Sequence, residues 1–225
     1  VSIGSLTVHR DIQNLEEIVE RLPLLAYAAK QIGGGMQVHN RGTIGGNIVA
    51  MHPLYDVAPA LLALEAEVEL LGEQGSQRML LSELQELSNH GLGTSSILTK
   101  ILVKSMSPTT LWAYYKLKSS AGAYGSANAA VVIHLDGENI KSIRVAIGAV
   151  TEKVLVVSES LKSCLGGPYT SEVGLVIQKI CSDAIGEPLS DQQGDGGWRK
   201  AMAGVAARRA TEIAMSKFIN SSSKG

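Results

Sequence analysis

The chain has 225 residues, 45% of them hydrophobic, and can therefore bury one large core or two modest ones. Its 20 Lys and Arg residues balance 21 Asp and Glu residues, and beyond the pair Arg208 and Arg209 no basic cluster offers a footprint for nucleic acid. No apolar run reaches the roughly 20 residues that span a bilayer, and the first residues lack a signal-peptide pattern. We therefore expect a cytoplasmic protein with no nucleic-acid partner and no membrane span.

The first half of the chain mixes helical and strand patterns around a glycine-rich segment. Apolar spacing predicts a strand at 1–7, helices at 15–22, 24–32 and 56–64, a hairpin of strands at 67–70 and 78–80, a helix at 81–87, a glycine-bearing loop and a strand at 97–103. Pro23 separates the first two helices. Residues 105–108 are interpreted as a linker, so the first domain is expected to cover 1–105.

The second half begins with strands and ends with helices. The patterns predict strands at 111–117, 127–135 and 140–150, followed by helices at 158–165, 170–185 and 198–218. Three antiparallel strands followed by three helices form an α+β module, expected over 109–220 with a disordered tail at 221–225. Cys164 and Cys181 have no metal-ligand spacing and are interpreted as small core residues in a reducing compartment.

Segment 33–47 is the most informative part of the sequence. Signature motifs of nucleotide-binding loops and metalloproteases are absent, and the five histidines show no ligand spacing, so no metal site is expected. The segment is too polar and glycine-rich for a helix or strand, which predicts a loop. Its bare backbone can face a phosphate or a ring edge, with Thr43 and Asn47 as hydrogen-bonding side chains. A tight turn between two helices would explain the glycines equally well.

The order of residues in this region is more specific than its composition. Residues 37–47, followed by Pro53 and by 56–64, resemble the second flavin-binding segment of the medium subunits in the xanthine dehydrogenase and carbon monoxide dehydrogenase family, Q-[IV]-R-N-x-[AG]-T-I-G-G-N. Further stretches similar to that family lie at 112–118, 122–124, 143–150, 190–200 and 208–210. The resemblance covers essentially the whole chain. The family's first flavin segment, a glycine loop, is expected several tens of residues before Val1.

The resemblance implies a fold and a set of cofactor contacts. The expected fold is the C-terminal part of a PCMH-type FAD-binding domain, followed by a three-stranded antiparallel sheet with a helical bundle, as in the C-terminal domain of carbon monoxide dehydrogenase flavoproteins. The implied FAD contacts are Gly33, Gly34, Thr43, Ile44, Gly45, Gly46, Asn47, Asp56, Lys116 and Tyr124.

The resemblance also divides these contacts among parts of the cofactor. The Thr43–Asn47 segment would line the pyrophosphate and ribityl chain, with Gly33 and Gly34 at its entrance. Asp56 would accept a hydrogen bond from a cofactor hydroxyl, although an Asp before a helix is also a good N-cap. Lys116 and Tyr124 would lie beside the isoalloxazine, although a solvated strand lysine is an equal alternative for Lys116.

The function implied is that of an oxidoreductase subunit that relays electrons through FAD. In the family, a large subunit carries the molybdenum cofactor, a small subunit carries two [2Fe-2S] clusters, and the flavin passes electrons to NAD, a quinone or oxygen. Two alternatives remain open. The family's R-R pair is Ser119 and Ser120 here and its Asp is Ala123, which fits a scaffold subunit that holds no flavin. A free-standing PCMH-type flavoenzyme is the other alternative.

Overall fold

A computed structural model describes residues 1–87, 95–120, 122–192 and 194–222, with backbone alone at 219–222. The first half contains β1 (Ser2–Gly4), α1 (His9–Asn14), α2 (Glu16–Arg21), α3 (Pro23–Lys30), α4 (Gly35–Arg41), α5 (Ile44–Ala50), α6 (Val57–Ala63), β2 (Glu67–Gly72), β3 (Gly75–Leu80), α7 (Leu81–Leu87) and β4 (Ser96–Leu102). The second half contains β5 (Leu111–Leu117), β6 (Ala127–Asp136), β7 (Asn139–Gly148), β8 (Leu155–Val157), a 3₁₀-helix (Glu159–Cys164), α8 (Ser171–Asp183) and α9 (Gly196–Ser222).

The first sheet is antiparallel, with the strand order β1-β4-β2-β3. Ile101 of β4 pairs with Ile3 of β1 on one side and with Val68 of β2 on the other. These three side chains are buried in one cluster with Leu25 of α3 and Leu61 of α6. The helices of the first half therefore cover the inward face of this sheet.

The second sheet, with the order β5-β6-β7-β8, is buried on both faces. Along β6, Val131 and Ile133 face a cluster formed with α8 and α9, whereas Ala130 and Val132 belong to the same cluster as the core of the first half. Successive strand residues point to opposite faces, so two covered faces require the apolar run at 129–133. The two halves therefore share a hydrophobic core.

The α+β fold class is confirmed, with one correction to the second sheet. Its three long strands are joined by a fourth, β8, which has three residues and too few side chains to show an alternating pattern. The helix expected at 158–165 is a 3₁₀-helix. Helix α9 reaches Ser222, so the tail expected at 221–225 is helical at its start, and 223–225 lie outside the described residues, as does the loop at 88–94.

The prediction of an irregular loop over 33–47 is wrong. This stretch contains α4 and most of α5, each seven residues long. Helices this short are unstable alone and depend on capping and packing, which composition does not reveal. Thr43 supplies such a cap, because its hydroxyl accepts a hydrogen bond from the Gly46 amide at 3.1 Å.

The two cysteines are unpaired and buried within the cluster under α8 and α9, as expected for small core residues. Among the described residues, no helix combines the length and the apolar composition that crossing a membrane requires.

Candidate functional site

A groove of about 420 Å³ lies where the helices α4, α5 and α6 meet residues 122–124 of the second half. Most of the sequence-predicted contact residues line it: Gly33, Gly34, Thr43, Gly46, Asn47, Asp56 and Tyr124. Lys116, Ile44 and Gly45 do not line it. The groove thus gathers residues as far apart in the sequence as Gly33 and Tyr124, although three of the expected contacts do not line it.

Ile44 and Gly45 serve packing rather than an open backbone cradle. Both residues are buried, and their amides donate to Thr7 O at 2.9 Å and to Ser5 O at 2.8 Å. A Cβ on Gly45 would lie 2.6 Å from both the Cβ and the carbonyl oxygen of Ser5, so this glycine lets two backbones cross. The expectation that these two amides face a ligand is therefore wrong.

The backbone of Asn47 is not available to a ligand, because its amide donates to the Thr43 carbonyl at 3.0 Å as part of α5. The residue lines the groove, but its Oδ1 atom is buried and has no hydrogen-bond partner within the described part of the chain. An atom without accessible surface does not face the open groove, so the cofactor contact expected for Asn47 stays a prediction.

The glycines at the groove entrance have distinct structural reasons. A Cβ on Gly33 would lie 2.1 Å from the carbonyl oxygen of Gly122, so Gly33 permits a close backbone approach between the two halves. Gly34 has φ +91°, a left-handed conformation, at the residue before α4. Together they bring the second half against the groove.

Asp56 forms the groove's buried wall together with Lys116 and Tyr114. Lys116 Nζ lies 2.8 Å from Asp56 Oδ2, with side chains 2% and 3% exposed, and the Tyr114 hydroxyl donates to Asp56 Oδ1 at 2.8 Å. Lys116 Nζ also donates to the Gln31 carbonyl at 2.9 Å. The alternative of a solvated lysine is therefore wrong, and Asp56 precedes α6 without a side-chain capping bond.

Burial dominates the electrostatics of this cluster. It raises the pKa of Asp56 above its ordinary value, against the opposing effect of the Lys116 ammonium and the Tyr114 hydrogen bond. Burial and the neighbouring Asp56 carboxylate raise the pKa of Tyr114 well above its ordinary value, so its hydroxyl remains a donor. Each Asp56 oxygen accepts one hydrogen bond from the protein, and a carboxylate oxygen has a second acceptor site, so the contact expected with a cofactor hydroxyl stays a prediction.

Three aromatic rings lie beside one another, and two of them, Tyr55 and Tyr124, line the groove. Tyr124 is 45% exposed and is stacked with His52 and Tyr55 at centroid separations of 5.7 and 6.4 Å. His52 and Tyr55 are themselves stacked at 4.8 Å. Nearly parallel rings in this arrangement form a wall against which another planar ring can pack.

Other residues that line the groove were missed in the sequence: His9, Ile32, Val38, Gly42, Tyr55 and Gly122. Tyr55 directly precedes Asp56, so its place on the groove could have been predicted from that expected contact. No sequence signal pointed to His9, because an antiparallel bridge between Val8 and Thr43 brings it to the groove from a distant part of the chain.

His9 is a buried, neutral imidazole. It is 3% exposed, and its Nδ1 has no hydrogen-bond partner in the described part of the chain. Burial, with a smaller contribution from the charge of His39, lowers the pKa of His9 from its ordinary value to about 4.

Comparison with known proteins decides the family. Residues 1–103 match the FAD-binding domain of molybdopterin dehydrogenases, and residues 112–214 match the C-terminal domain of carbon monoxide dehydrogenase flavoproteins. The carbon monoxide dehydrogenase medium chain of Hydrogenophaga pseudoflava is 34% identical, over 96% of this chain and 75% of that protein. The chain belongs to the FAD-binding medium subunits of the molybdenum hydroxylases.

Other molybdenum hydroxylase medium subunits agree with this assignment. The glyceraldehyde dehydrogenase medium chain of Sulfolobus acidocaldarius is 31% identical, over 93% of this chain and 74% of that protein. A solved structure of carbon monoxide dehydrogenase from Hydrogenophaga pseudoflava superposes with a TM-score of 0.88, at 33% identity over 96% of this chain and 75% of its own. The match over 112–214 argues against the free-standing flavoenzyme.

Proposed function

We propose that the groove holds the isoalloxazine and ribityl parts of FAD, and that the chain relays electrons there within a molybdenum hydroxylase complex. The observation that carries this proposal is a pair of aromatic rings, Tyr55 and Tyr124, that line a groove of about 420 Å³ and are both stacked with His52. That volume lies within the range of ordinary ligand sites. The exposed face of Tyr124 offers a packing surface for the tricyclic ring.

The charges along the groove bear on which part of FAD it holds. No Lys or Arg is among the residues that line the groove, so it suits the uncharged portion of FAD better than its pyrophosphate. This differs from the role that the resemblance implied for the Thr43–Asn47 segment.

When bound, FAD supplies the redox chemistry, and the protein supplies binding and orientation. Tyr124 and Tyr55 orient the ring by packing. The buried pair of Asp56 and Lys116 fixes the groove wall behind the ring. Lys116 Nζ also donates to the Gln31 carbonyl, which joins β5 to the end of α3. No side chain of the groove is assigned as an acid, base or nucleophile.

The same proposal extends to partners. We assign the molybdenum cofactor to a large subunit and two [2Fe-2S] clusters to a small subunit, with NAD, a quinone or oxygen as the electron acceptor. Relatives described as medium chains of dehydrogenases support a multisubunit complex. Two unpaired, buried cysteines fit a cytoplasmic protein, because the cytosol keeps thiols reduced.

Flavin titration of the full chain tests the site. Tyr124→Ala removes a ring contact worth about 1 kcal/mol, so the dissociation constant for FAD should rise by about five- to tenfold. The fluorescence of the bound flavin should also be quenched less than in the wild-type protein. The matched control is Tyr27→Ala, which removes a similarly exposed tyrosine that contacts Trp112 rather than the groove. The control should leave FAD affinity unchanged. A full-length subunit, purified with the segment expected before Val1, that is colourless and has no FAD affinity would instead identify a scaffold subunit.

A further inference from the structure

A small cavity lies beside the groove, at the seam between the two halves of the chain. Its volume is about 70 Å³, and none of the described residues lines both the cavity and the groove. Most of its wall is aliphatic and is formed by Ile48, Met51, Ala58, Leu62, Leu81 and Val154. Ala58 and Leu62 lie one helical turn apart on α6, so they share the face that meets the cavity.

The polar side chains of the lining leave little for a water molecule to bond. Gln85 is engaged at both ends, because its Nε2 donates to the Val154 carbonyl at 2.9 Å and its Oε1 accepts from the Val154 amide at 3.0 Å. Lys153 Nζ donates to Glu86 Oε2 at 3.0 Å, and Glu152 is exposed. A buried water needs about two to four polar partners, so the cavity favours an apolar occupant over water.

The volume restricts the occupant to a molecule of very few atoms. An apolar cavity of about 150 Å³ accommodates benzene, and ordinary ligand sites span about 300–1,000 Å³. At about 70 Å³, this cavity excludes aromatic rings and takes a gas-sized molecule. Such a molecule gains free energy by leaving water for an aliphatic wall, without any hydrogen bond.

The cavity adjoins the groove through one aromatic ring. His52 lines the cavity, its Nδ1 accepts from the Leu54 amide at 3.2 Å, and its ring is stacked at 4.8 Å with Tyr55, which lines the groove. The preceding residue, Met51, has φ +46°, a left-handed conformation that is uncommon outside glycine and clusters at functional sites. A molecule in the cavity therefore touches the residue that joins the cavity to the ring stack.

We propose that this cavity is a binding site for one small apolar molecule, of the size class of dioxygen, and that its occupant packs against His52. The bonded polar groups and the aliphatic wall determine the chemical class of the ligand, and the volume determines its size. The site exists with or without a flavin in the groove, so it does not rest on the function proposed above.

Dioxygen and xenon are the two probes of the full chain, labelled at its methyl groups. Dissolved dioxygen is paramagnetic and should raise the methyl relaxation rates of Ile48 and Leu81 severalfold more than that of Ile177, which is also buried but lies in the cluster under α8 and α9. Xenon should saturate one site in an NMR titration. It should shift the ring signals of His52 and leave those of His134, exposed on β6, unchanged.

Variants of the wall locate the bound atom. Ala58→Leu replaces a methyl with an isobutyl group on the cavity face of α6 and should reduce both xenon binding and the dioxygen effect severalfold. The matched control is Ala201→Leu, at an exposed alanine of α9, which should change neither. Ile48→Val removes one methylene from the wall and should strengthen xenon binding, and it decides the question if Ala58→Leu does not unfold cooperatively.

Several results would overturn the site. They are equal dioxygen effects on Ile48 and Ile177, a xenon shift that does not saturate, an unmoved His52 ring, or a long-lived water with nuclear Overhauser contacts to these methyl groups. Xenon binding that Ala58→Leu leaves unchanged would also overturn it, because the xenon would then lie elsewhere. A chain that binds xenon but no FAD would refute only the flavin site, and a chain that binds FAD but no xenon would refute only the cavity.

Discussion

Replacing Lys116 with methionine leaves the Asp56 carboxylate in the protein interior without its cation. The two charged groups lie 2.8 Å apart, and both side chains are almost fully buried. Removing one partner of such a pair destabilises a protein by about 3–5 kcal/mol, because the other charge remains desolvated. The Tyr114 hydroxyl, 2.8 Å from Asp56 Oδ1, still compensates part of that charge. We therefore expect Lys116→Met to lower the free energy of unfolding by about 3 kcal/mol.

A double-mutant cycle in urea measures this pair. Asp56→Asn alone leaves the Lys116 ammonium buried without its partner, whereas the double variant with Lys116→Met buries two neutral groups. The double variant should therefore lose less free energy of unfolding than the two single variants together, by about 2 kcal/mol or more. The control is Lys100→Met. Lys100 pairs with Glu69 at 3.0 Å but is 48% exposed, so its loss should change stability by less than about 1 kcal/mol. Additive single changes, or a Lys116→Met effect as small as the control's, would refute the reasoning.

Two further changes probe the groove. The folded-state pKa of His9 lies at about 4, below its ordinary value of 6.5, so the unfolded chain binds the proton first and stability falls as pH drops from 6.5 to 4. The free energy of unfolding, measured in urea, should fall by up to about 3 kcal/mol over this pH range, and by less in His9→Gln. If the free energies of unfolding of the two proteins change in parallel with pH, the assignment of this loss to His9 is wrong. Gly33→Ala places a Cβ 2.1 Å from Gly122 O, so it should lower the free energy of unfolding by about 1–3 kcal/mol and weaken FAD binding. The control, Gly186→Ala, places its Cβ in open space and should change neither quantity.

Much of the fold could be predicted because its signals are local. The turn at Glu73 and Gln74 and the alternation along β2 and β3 place the first hairpin correctly. The apolar run at 129–133 of β6 follows from burial on both faces. Helices α4 and α5 could not be predicted from composition, because their stability comes from capping and tertiary packing rather than from residue propensity.

The groove was predictable only where its residues were adjacent in sequence. The order of residues 43–47 identified the segment, but not which of its groups face a ligand. The crossing of Gly45 over Ser5 decides that, and so does the bridge that delivers His9. Lys116 shows the same limit, because a lysine on a strand reveals its burial only when the facing Asp56 is known.

A buried guanidinium outside the groove connects both sides of the aromatic wall. Arg199 of α9 is fully buried and donates to the carbonyl oxygens of Ser126 and Ala149. Ser126 lies two residues after Tyr124. The Ala149 amide donates to the carbonyl of Pro53, which directly follows His52. One charged group therefore ties the loop that follows Tyr124 to the segment after β7, which is bonded in turn to the loop of His52. Because the guanidinium has several fixed donors in one plane, it can hold two carbonyls at a defined spacing, which a flexible ammonium would not. The separation of the loops that carry the stacked rings is thus set partly by α9.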